Sequence, residues 1–237
     1  MAGKPNFPAD APTPGHETDF HAQLDALNQR LYEEGVLAVE LVEAAMDALR
    51  RCDKDAARSV RTRDTEVDVE EVKIEEETVR MIALHQPVAS DLRRLMLIIK
   101  ANADIERIAD HATGVCKTVL YLGDAPAPIW PPSLLEMGDL LVPRAHEALK
   151  ALRRTDAAAA ERIITDDETL DLLGRKAFEE IEEANAAGRL SARASMLAYR
   201  ASRELERISD LLGNICEDVI YAKSGRIVRH AKRRMLQ

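Results

Sequence analysis

Acidic residues spaced four apart are the side chains of this sequence with the clearest capacity for chemistry. Two such pairs, Glu106 with Asp110 and Glu206 with Asp210, occupy corresponding positions of two related segments. Residues four apart lie side by side on one face of an α-helix, so each pair brings two carboxylates together. Repulsion at this spacing costs an isolated helix roughly 0.2–0.5 kcal/mol. A metal ion, another cation or a basic neighbour would offset that cost, whereas a single pair is also explained by a solvated acidic face.

A second set of acidic pairs precedes the first in each segment: Asp64 with Asp68, and Asp167 with Asp171. Each of these pairs falls on the helix before the one that carries the glutamate, and antiparallel neighbouring helices would bring two pairs together. Four carboxylates form an oxygen-rich site suited to hard divalent cations or to iron. We therefore predict one metal site per repeat, for Fe, Mn, Mg or Zn. The eight candidate ligands are Asp64, Asp68, Glu106 and Asp110 in the first copy, and Asp167, Asp171, Glu206 and Asp210 in the second.

The two segments are copies of one another. Residues 93–121 read RRLMLIIKANADIERIADHATGVCKTVLY, and residues 193–221 read RASMLAYRASRELERISDLLGNICEDVIY. They begin 100 residues apart and align without a gap. The shared residues include Arg93/Arg193, Met96/Met196, Glu106/Glu206, Arg107/Arg207, Ile108/Ile208, Asp110/Asp210, Cys116/Cys216 and Tyr121/Tyr221. This pattern indicates a tandem duplication.

Apolar residues recur with helical periodicity through both copies. In the segment 93–121, Ile98, Ile105, Ile108 and Cys116 fall on one broad apolar face, and Glu106 lies opposite them. The pattern predicts an all-α fold of six long helices, arranged as two tandem three-helix bundles, each up-down-up. The predicted divisions are a disordered leader at 1–18, a first repeat at 19–122, a Pro-rich linker at 123–132, a second repeat at 133–223 and a basic tail at 224–237.

Composition narrows the class of protein further. Hydrophobic residues make up 46% of the chain but aromatic residues only 3%, which is typical of helical bundles with aliphatic cores. The formal net charge of −9 argues against general nucleic-acid binding. The three cysteines are an odd number and form no C-x-x-C motif, so we expect no disulfide framework. No signal peptide opens the sequence and no apolar run reaches the roughly 18 residues of a membrane span, so we expect a cytoplasmic protein.

Sequence motifs of the common enzyme classes are absent. The chain contains no phosphate-binding G-x-x-x-x-G-K-[ST], no dinucleotide-binding G-x-G-x-x-G, no H-E-x-x-H and no G-x-S-x-G. Di-iron bundle enzymes place E-x-x-H on two helices, and none falls on the predicted bundle helices. We therefore predict that the protein is not an enzyme.

Longer runs of residues resemble a known family. The run 82–93, IALHQPVASDLR, followed by 104–110, DIERIAD, resembles the PhoU family of bacterial phosphate-transport regulatory proteins. In the second copy, 204–210 (ELERISD), 214–217 (NICE) and 224–230 also look like that family. The resemblance spans roughly residues 19–230 and includes both repeats.

This resemblance implies a fold, metal sites and a role. The fold is two similar three-helix bundles, and the metal sites are E(D)-x-x-x-D pairs, which match the eight acidic positions named above. The role is a cytoplasmic negative regulator of phosphate uptake and of the phosphate-starvation response, the Pho regulon. Such proteins link a phosphate ABC transporter, through its ATPase subunit, to a phosphate-sensing histidine kinase. We also expect a homodimer that meets the membrane only through these partners.

A second function stays open at this point: a carboxylate-bridged metal protein devoted to storage or redox chemistry. The sequence favours the regulatory adaptor, because the carboxylates are predicted to face outward and no E-x-x-H supplies a redox-tuning histidine. The basic tail is explained equally by contact with an anionic partner or membrane surface and by a solubilising chain end.

Overall fold

The computed structural model describes residues 14–165 and 168–228, with side chains from residue 19 onward. Its helices are α1 (Pro14–Arg51), α2 (Lys54–His85), α3 (Ala89–Tyr121), α4 (Pro132–Arg154), α5 (Ala157–Thr165), α6 (Glu168–Ala186) and α7 (Ala192–Ser224). No strand occurs in the described residues, and the predicted all-α class is confirmed. The helix predicted for 156–187 corresponds to α5 and α6 together. Helix α1 begins within the segment predicted as a disordered leader.

Side chains and backbone conformation set where the helices begin and end. The Asp53 carboxylate accepts hydrogen bonds from the first N–H groups of α2, and the Ser191 hydroxyl does the same for α7. Helix α2 ends at His85, and the capping residue Gln86 adopts the left-handed conformation with φ of 46° just before Pro87. Gly188, with φ of 70°, follows the end of α6. Both interruptions fall where proline and glycine predicted them.

Helices α3 and α7 carry the centre of the core. The predicted apolar face of α3 is buried in full, including Ile105, Ile108 and Cys116, and the equivalent Leu205 and Ile208 of α7 are buried as well. The buried side chains of both repeats form one continuous hydrophobic cluster. The two repeats therefore pack against each other over an extensive apolar surface.

Arginines shared by the two copies make reciprocal contacts between α3 and α7. Arg93 Nε, at the start of α3, donates to the carbonyl of Ala222 near the end of α7, at 3.3 Å. Arg193 Nε, at the start of α7, donates to the carbonyl of Tyr121 at the end of α3, at 2.9 Å. Each helix thus starts beside the other's end, so the two lie antiparallel.

The shared tyrosines repeat this exchange. The Lys100 ammonium lies 5.9 Å from the ring centroid of Tyr221, and the Arg200 guanidinium lies 5.5 Å from that of Tyr121. The cation of each copy therefore faces the aromatic ring of the other. Such exchanged contacts are the signature of a two-fold relation between the repeats.

Helices α1 and α4 pack with the same symmetry. The side chain of Leu149 covers the bare Cα of Gly35, and the side chain of Met46 covers that of Gly138. Gly35 and Gly138 lie 103 positions apart in the sequence, and so do the covering residues Met46 and Leu149. The two glycines allow the helices to approach closely, and they extend the two-fold relation from α3 and α7 to α1 and α4.

Candidate functional site

The acidic pairs of the first repeat converge where α2 packs against α3. Asp64 is half-buried there, and its Oδ1 atom is enclosed without a hydrogen-bond partner. Burial, with Asp68 and Asp110 nearby, raises the pKa of Asp64 from 3.8 to about 6. Lys117 and Arg61 act in the opposite direction but with smaller effect. A carboxylate of α2 therefore lies in the field of a carboxylate of α3.

Glu106 experiences the same field from the α3 side. Burial raises its pKa, and Asp110, Asp68 and Asp64 raise it further, together with Glu71 of α2. The four predicted residues of the first repeat are thus neighbours in the fold. Neither Asp64 nor Glu106 has a basic partner strong enough to cancel the repulsion.

Glu71 is thus a fifth carboxyl group of this cluster. A sixth carboxyl group, which the sequence analysis missed, lies beside it. Glu34 of α1 is only 2% exposed, and neither of its carboxylate oxygens has a hydrogen-bond partner in the described structure. Burial raises its pKa from 4.5 to about 9, and Glu71, Glu70 and Glu106 contribute in that order. Arg30 lowers it by less. At neutral pH, Glu34 is therefore a protonated, uncharged side chain.

The sequence contains a signal that could have identified Glu34. Leu31 and Ala38, three residues before it and four after it, belong to the buried stripe of α1. A glutamate at a position where helical periodicity places an apolar residue predicts a buried carboxyl group. That signal does not tell which groups surround it.

The acidic pairs of the second repeat are placed differently. Glu206 of α7 lies against α6, where a Cβ atom added to Gly174 would come within 2.6 Å of its Oε1. Arg203, one turn earlier on α7, forms a close ion pair with Glu206. Asp171 and Asp210 are exposed, as Asp68 and Asp110 are in the first repeat. Asp167, the remaining predicted ligand, lies outside the described residues.

Two substitutions between the copies account for this difference. Ala103 occupies in the first copy the position of Arg203, so Glu106 has no basic residue one turn before it. Gly174 occupies in the second copy the position of Glu71, so Glu206 has one carboxylate fewer around it. Among the described residues, the first cluster is consequently the more negative of the two.

Both repeats match a known protein domain family. The PhoU domain model covers residues 31–119 and 134–219, which contain Glu34 and all eight predicted acidic positions. The chain belongs to the PhoU family. The predicted resemblance and its two-bundle fold are confirmed.

Curated relatives and solved structures agree with the PhoU assignment. The phosphate-specific transport system accessory protein PhoU of Escherichia coli (strain K12) is 31% identical over 211 residues, covering 89% of this chain and 88% of the relative. The PhoU homolog of Pseudomonas aeruginosa is 34% identical over 217 residues, with 89% and 88% covered. The crystal structure of PhoU from P. aeruginosa superposes with a TM-score of 0.82 at 33% identity, covering 87% of this chain and all of that one. That of the phosphate transport system regulatory protein PhoU from Streptococcus pneumoniae gives 0.82 at 29%, with 88% and 99% covered.

The carboxylate oxygens of the first PhoU repeat are of the type that binds a cation, although the side chains do not form a coordination site. Its oxygen ligands are of the kind that Mg²⁺, Mn²⁺ and iron accept, and the enclosed Oδ1 of Asp64 lacks a partner. Across residues 14–165 and 168–228, however, no group of three or more His, Cys, Asp or Glu side chains is close enough to hold a metal ion. The metal sites therefore stay a prediction.

One further contact between the PhoU repeats escaped the sequence analysis. His111 of α3 faces α7, and its Nδ1 lies 2.7 Å from Oε2 of Glu204. Burial raises the pKa of Glu204, but the hydrogen bond and charge of His111, with Arg200 and Arg207, outweigh it and lower that pKa. His111 thus links the two repeats directly beside Asp110. The periodicity of a single helix does not reveal this contact, because its partner lies on another helix.

Proposed function

We propose that this chain is a cytoplasmic negative regulator of phosphate uptake and of the phosphate-starvation response. The observation that carries the proposal is membership of the PhoU family through both repeats, because the relatives are named as accessory or regulatory proteins of the phosphate transport system. The chain acts as an adaptor between the ATPase subunit of a phosphate ABC transporter and a phosphate-sensing histidine kinase. Its role is regulatory rather than enzymatic.

The physical character of the molecule supports an adaptor. Helices of 23 to 38 residues form five of its seven described elements, and α1, α2 and α4 each present an exposed face rich in charged residues. Charged surfaces of this kind set partner choice and encounter rate more than affinity. In the part of the chain that the structure describes, no helix is long and apolar enough to cross a membrane. We expect contact with the transporter and the kinase to run through protein surfaces.

Deletion of the gene tests the regulatory role. In phosphate-rich medium, a strain without the protein should express phosphate-starvation genes, read out with an alkaline phosphatase reporter, or take up toxic amounts of phosphate. Reintroducing the wild-type gene should restore repression. Normal repression in the deletion strain, in a genome without a second copy of the family, would contradict the proposal.

Affinity capture tests the partners and the oligomer. Tagged full-length protein should retain the transporter's ATPase subunit or the histidine kinase, and light scattering should give the mass of a homodimer. A monomer that captures neither partner would remove the adaptor mechanism while leaving the family assignment intact.

The second candidate is a metal-binding role, which the partnerless Oδ1 of Asp64 favours. Asp64, Asp68, Glu106 and Asp110 would hold a divalent or iron-type ion in the first repeat, and the corresponding acidic residues of the second repeat would hold another. A bound cation would supply positive charge that neutralises the repulsion within each cluster. Because Arg203 already neutralises part of the second cluster, we expect the first site to bind more tightly.

Metal content measured after extensive dialysis tests these sites. Replacing both Glu106 and Asp110 with Ala should remove the metal of the first site and leave the second, and the matched Glu206→Ala, Asp210→Ala variant should do the reverse. Equal metal content in wild type and both variants would contradict the assignment. Turnover of oxygen or peroxide with Fe(II) by the purified protein would favour metal storage or redox chemistry over the adaptor.

A further inference from the structure

A basic cleft lies at one end of the molecule, where α3 begins and α4 and α7 end beside α1. Its volume is about 430 Å³. Among the residues that the structure describes, five basic side chains line it, and Asp25 is the only acidic one that does. The five are Arg93, Arg94, Arg153, Arg154 and Lys223. In a chain with a formal net charge of −9, five basic residues against one acidic residue make this cleft locally positive.

Only part of this positive charge is neutralised within the fold. Arg94 forms an ion pair with Asp25 at 2.8 Å. Arg153 stacks over the ring of Tyr32, with 4.8 Å between the guanidinium carbon and the ring centroid, and keeps its charge. Neither Arg154 nor Lys223 forms an ion pair with any residue that the structure describes, and both are exposed. The cleft therefore holds an excess of cations with unused hydrogen-bond donors.

The start of α3 adds further donors. Val88 occupies the N-cap position without a side-chain hydrogen bond to the first turn, so the amide groups there are uncapped by a side chain. Ser90, in that first turn, lines the cleft. A helix N-terminus carries partial positive charge and favours bound anions, phosphate groups among them. Thr155, whose side chain carries a hydroxyl donor, also lines the cleft.

We propose that this cleft binds a small anion that carries one or more phosphate groups. Guanidinium groups donate paired hydrogen bonds that match phosphate oxygens, and lysine adds a compact charge. The volume exceeds the need of a single phosphate and falls within the range of sites for nucleotide-sized molecules. This inference rests on the cleft itself and stands independently of the proposed regulatory function.

The two-fold related end of the molecule keeps three of the five basic positions, as Arg50, Arg51 and Arg193, and it pairs Arg50 with Asp139 and Arg51 with Asp47. The positions of Arg94 and Lys223 correspond there to Ala194 and Gly123. The buried Trp130 lies at that end and donates its indole N–H to a carbonyl at the end of α1, at 2.7 Å. The same fold thus accommodates an end without basic residues at the positions of Arg94 and Lys223, so these two cations are not a requirement of helix packing.

Calorimetric titration of the full-length protein tests the proposal with three probes: inorganic phosphate, pyrophosphate and ATP. Titrations at constant ionic strength, with chloride as the balancing anion, separate a site from general screening. We expect saturable binding of at least one probe, and the Arg154→Gln, Lys223→Gln variant should weaken it at least tenfold. Both replaced side chains are exposed, so the fold should persist, which circular dichroism checks. The probe that binds most tightly distinguishes an orthophosphate site from a polyphosphate or nucleotide site.

Two further variants sharpen the test. Arg51→Gln with Lys54→Gln removes the same charge from the related end and should leave binding unchanged. Asp25→Asn releases Arg94 and should tighten binding several-fold. The proposal is overturned if no probe binds saturably, if both double variants weaken binding equally, or if Asp25→Asn weakens it.

Discussion

The buried carboxyl group of Glu34 links the stability of the fold to pH. Its pKa rises from 4.5 to about 9 because of burial and because Glu71, Glu70 and Glu106 lie near, while Arg30 opposes them weakly. The folded chain therefore keeps a proton that the unfolded chain releases. The stability that this proton contributes is fully present below pH 4.5 and is lost as the pH rises towards 9. A carboxylate in an ion pair has the opposite dependence.

Glu34→Gln should remove this pH dependence. Glutamine keeps the shape of the protonated side chain but cannot ionise, so at pH 8 the variant should be more stable than wild type by roughly 2–4 kcal/mol. At pH 5 the two should be nearly equal. Urea unfolding at both pH values measures the difference, with the exposed neighbour change Glu33→Gln as control. An unchanged slope of stability against pH in Glu34→Gln would show that Glu34 does not titrate in this range.

Single residues also show where sequence reasoning reached its limit. The carboxylates at 64, 68, 106 and 110 were found because their spacing lies within single helices. Glu34 and His111 were not, because their environment depends on which helices pack beside them. The pairing of His111 with Glu204 requires the antiparallel register of α3 on α7, which no local pattern contains.

Within α3, the two faces should respond differently to substitution. Ile108 is 1% exposed, so Ile108→Ala should lower the free energy of unfolding by about 2–5 kcal/mol through lost contacts and a cavity. Glu106→Gln removes one charge from a crowded acidic cluster and should cost less than about 1 kcal/mol or stabilise the metal-free protein. Chemical denaturation of both variants, with Ile208→Ala as the equivalent of Ile108→Ala, measures the order. A larger loss for Glu106→Gln would mean that Glu106, rather than Ile108, faces the core.

Two helix-interior glycines should respond in opposite directions when alanine is introduced. A Cβ atom on Gly213 of α7 meets nothing within 4 Å, so Gly213→Ala should stabilise the protein by about 0.5–1 kcal/mol through helix propensity. A Cβ atom on Gly114 would lie 2.5 Å from the carboxyl carbon of Glu204. Gly114→Ala should therefore destabilise the protein by displacing Glu204 from His111. Thermal unfolding compares the two, and equal stabilisation by both would contradict the close approach of α3 and α7.

The positions of the helices were the feature of the fold that the sequence predicted best. Helical periodicity located all the long helices, and Pro87 and Gly188 located two of their breaks, because these signals act over a few residues. The start of α1 at Pro14 was not located, since the leader's prolines and glycines favour an irregular chain. The reciprocal packing of α1 with α4 was also not predicted. The sequence shows where the glycines are, but it does not show which side chain of another helix packs against each of them.

At the scale of the whole molecule, the shared core should make unfolding a single event. The buried cluster runs through both repeats without division, so neither repeat retains its core when the other unfolds. Trp130, the only tryptophan of the chain, lies between the repeats and reports on their packing by fluorescence. We expect its transition in urea to coincide with the loss of helicity measured by circular dichroism. Two separated transitions would show that the repeats unfold as independent domains.

The exchanged contacts between α3 and α7 have a consequence for how the protein behaves at low abundance. Contacts of this kind hold together two identical subunits, which dissociate on dilution. Here the loop between α3 and α4 ties the halves into one molecule, so their association is intramolecular and independent of expression level. Covalent fusion also frees each half to diverge, which one gene encoding both subunits does not permit. Arg94 and Lys223 on one side, against Ala194 and Gly123 on the other, record such a divergence.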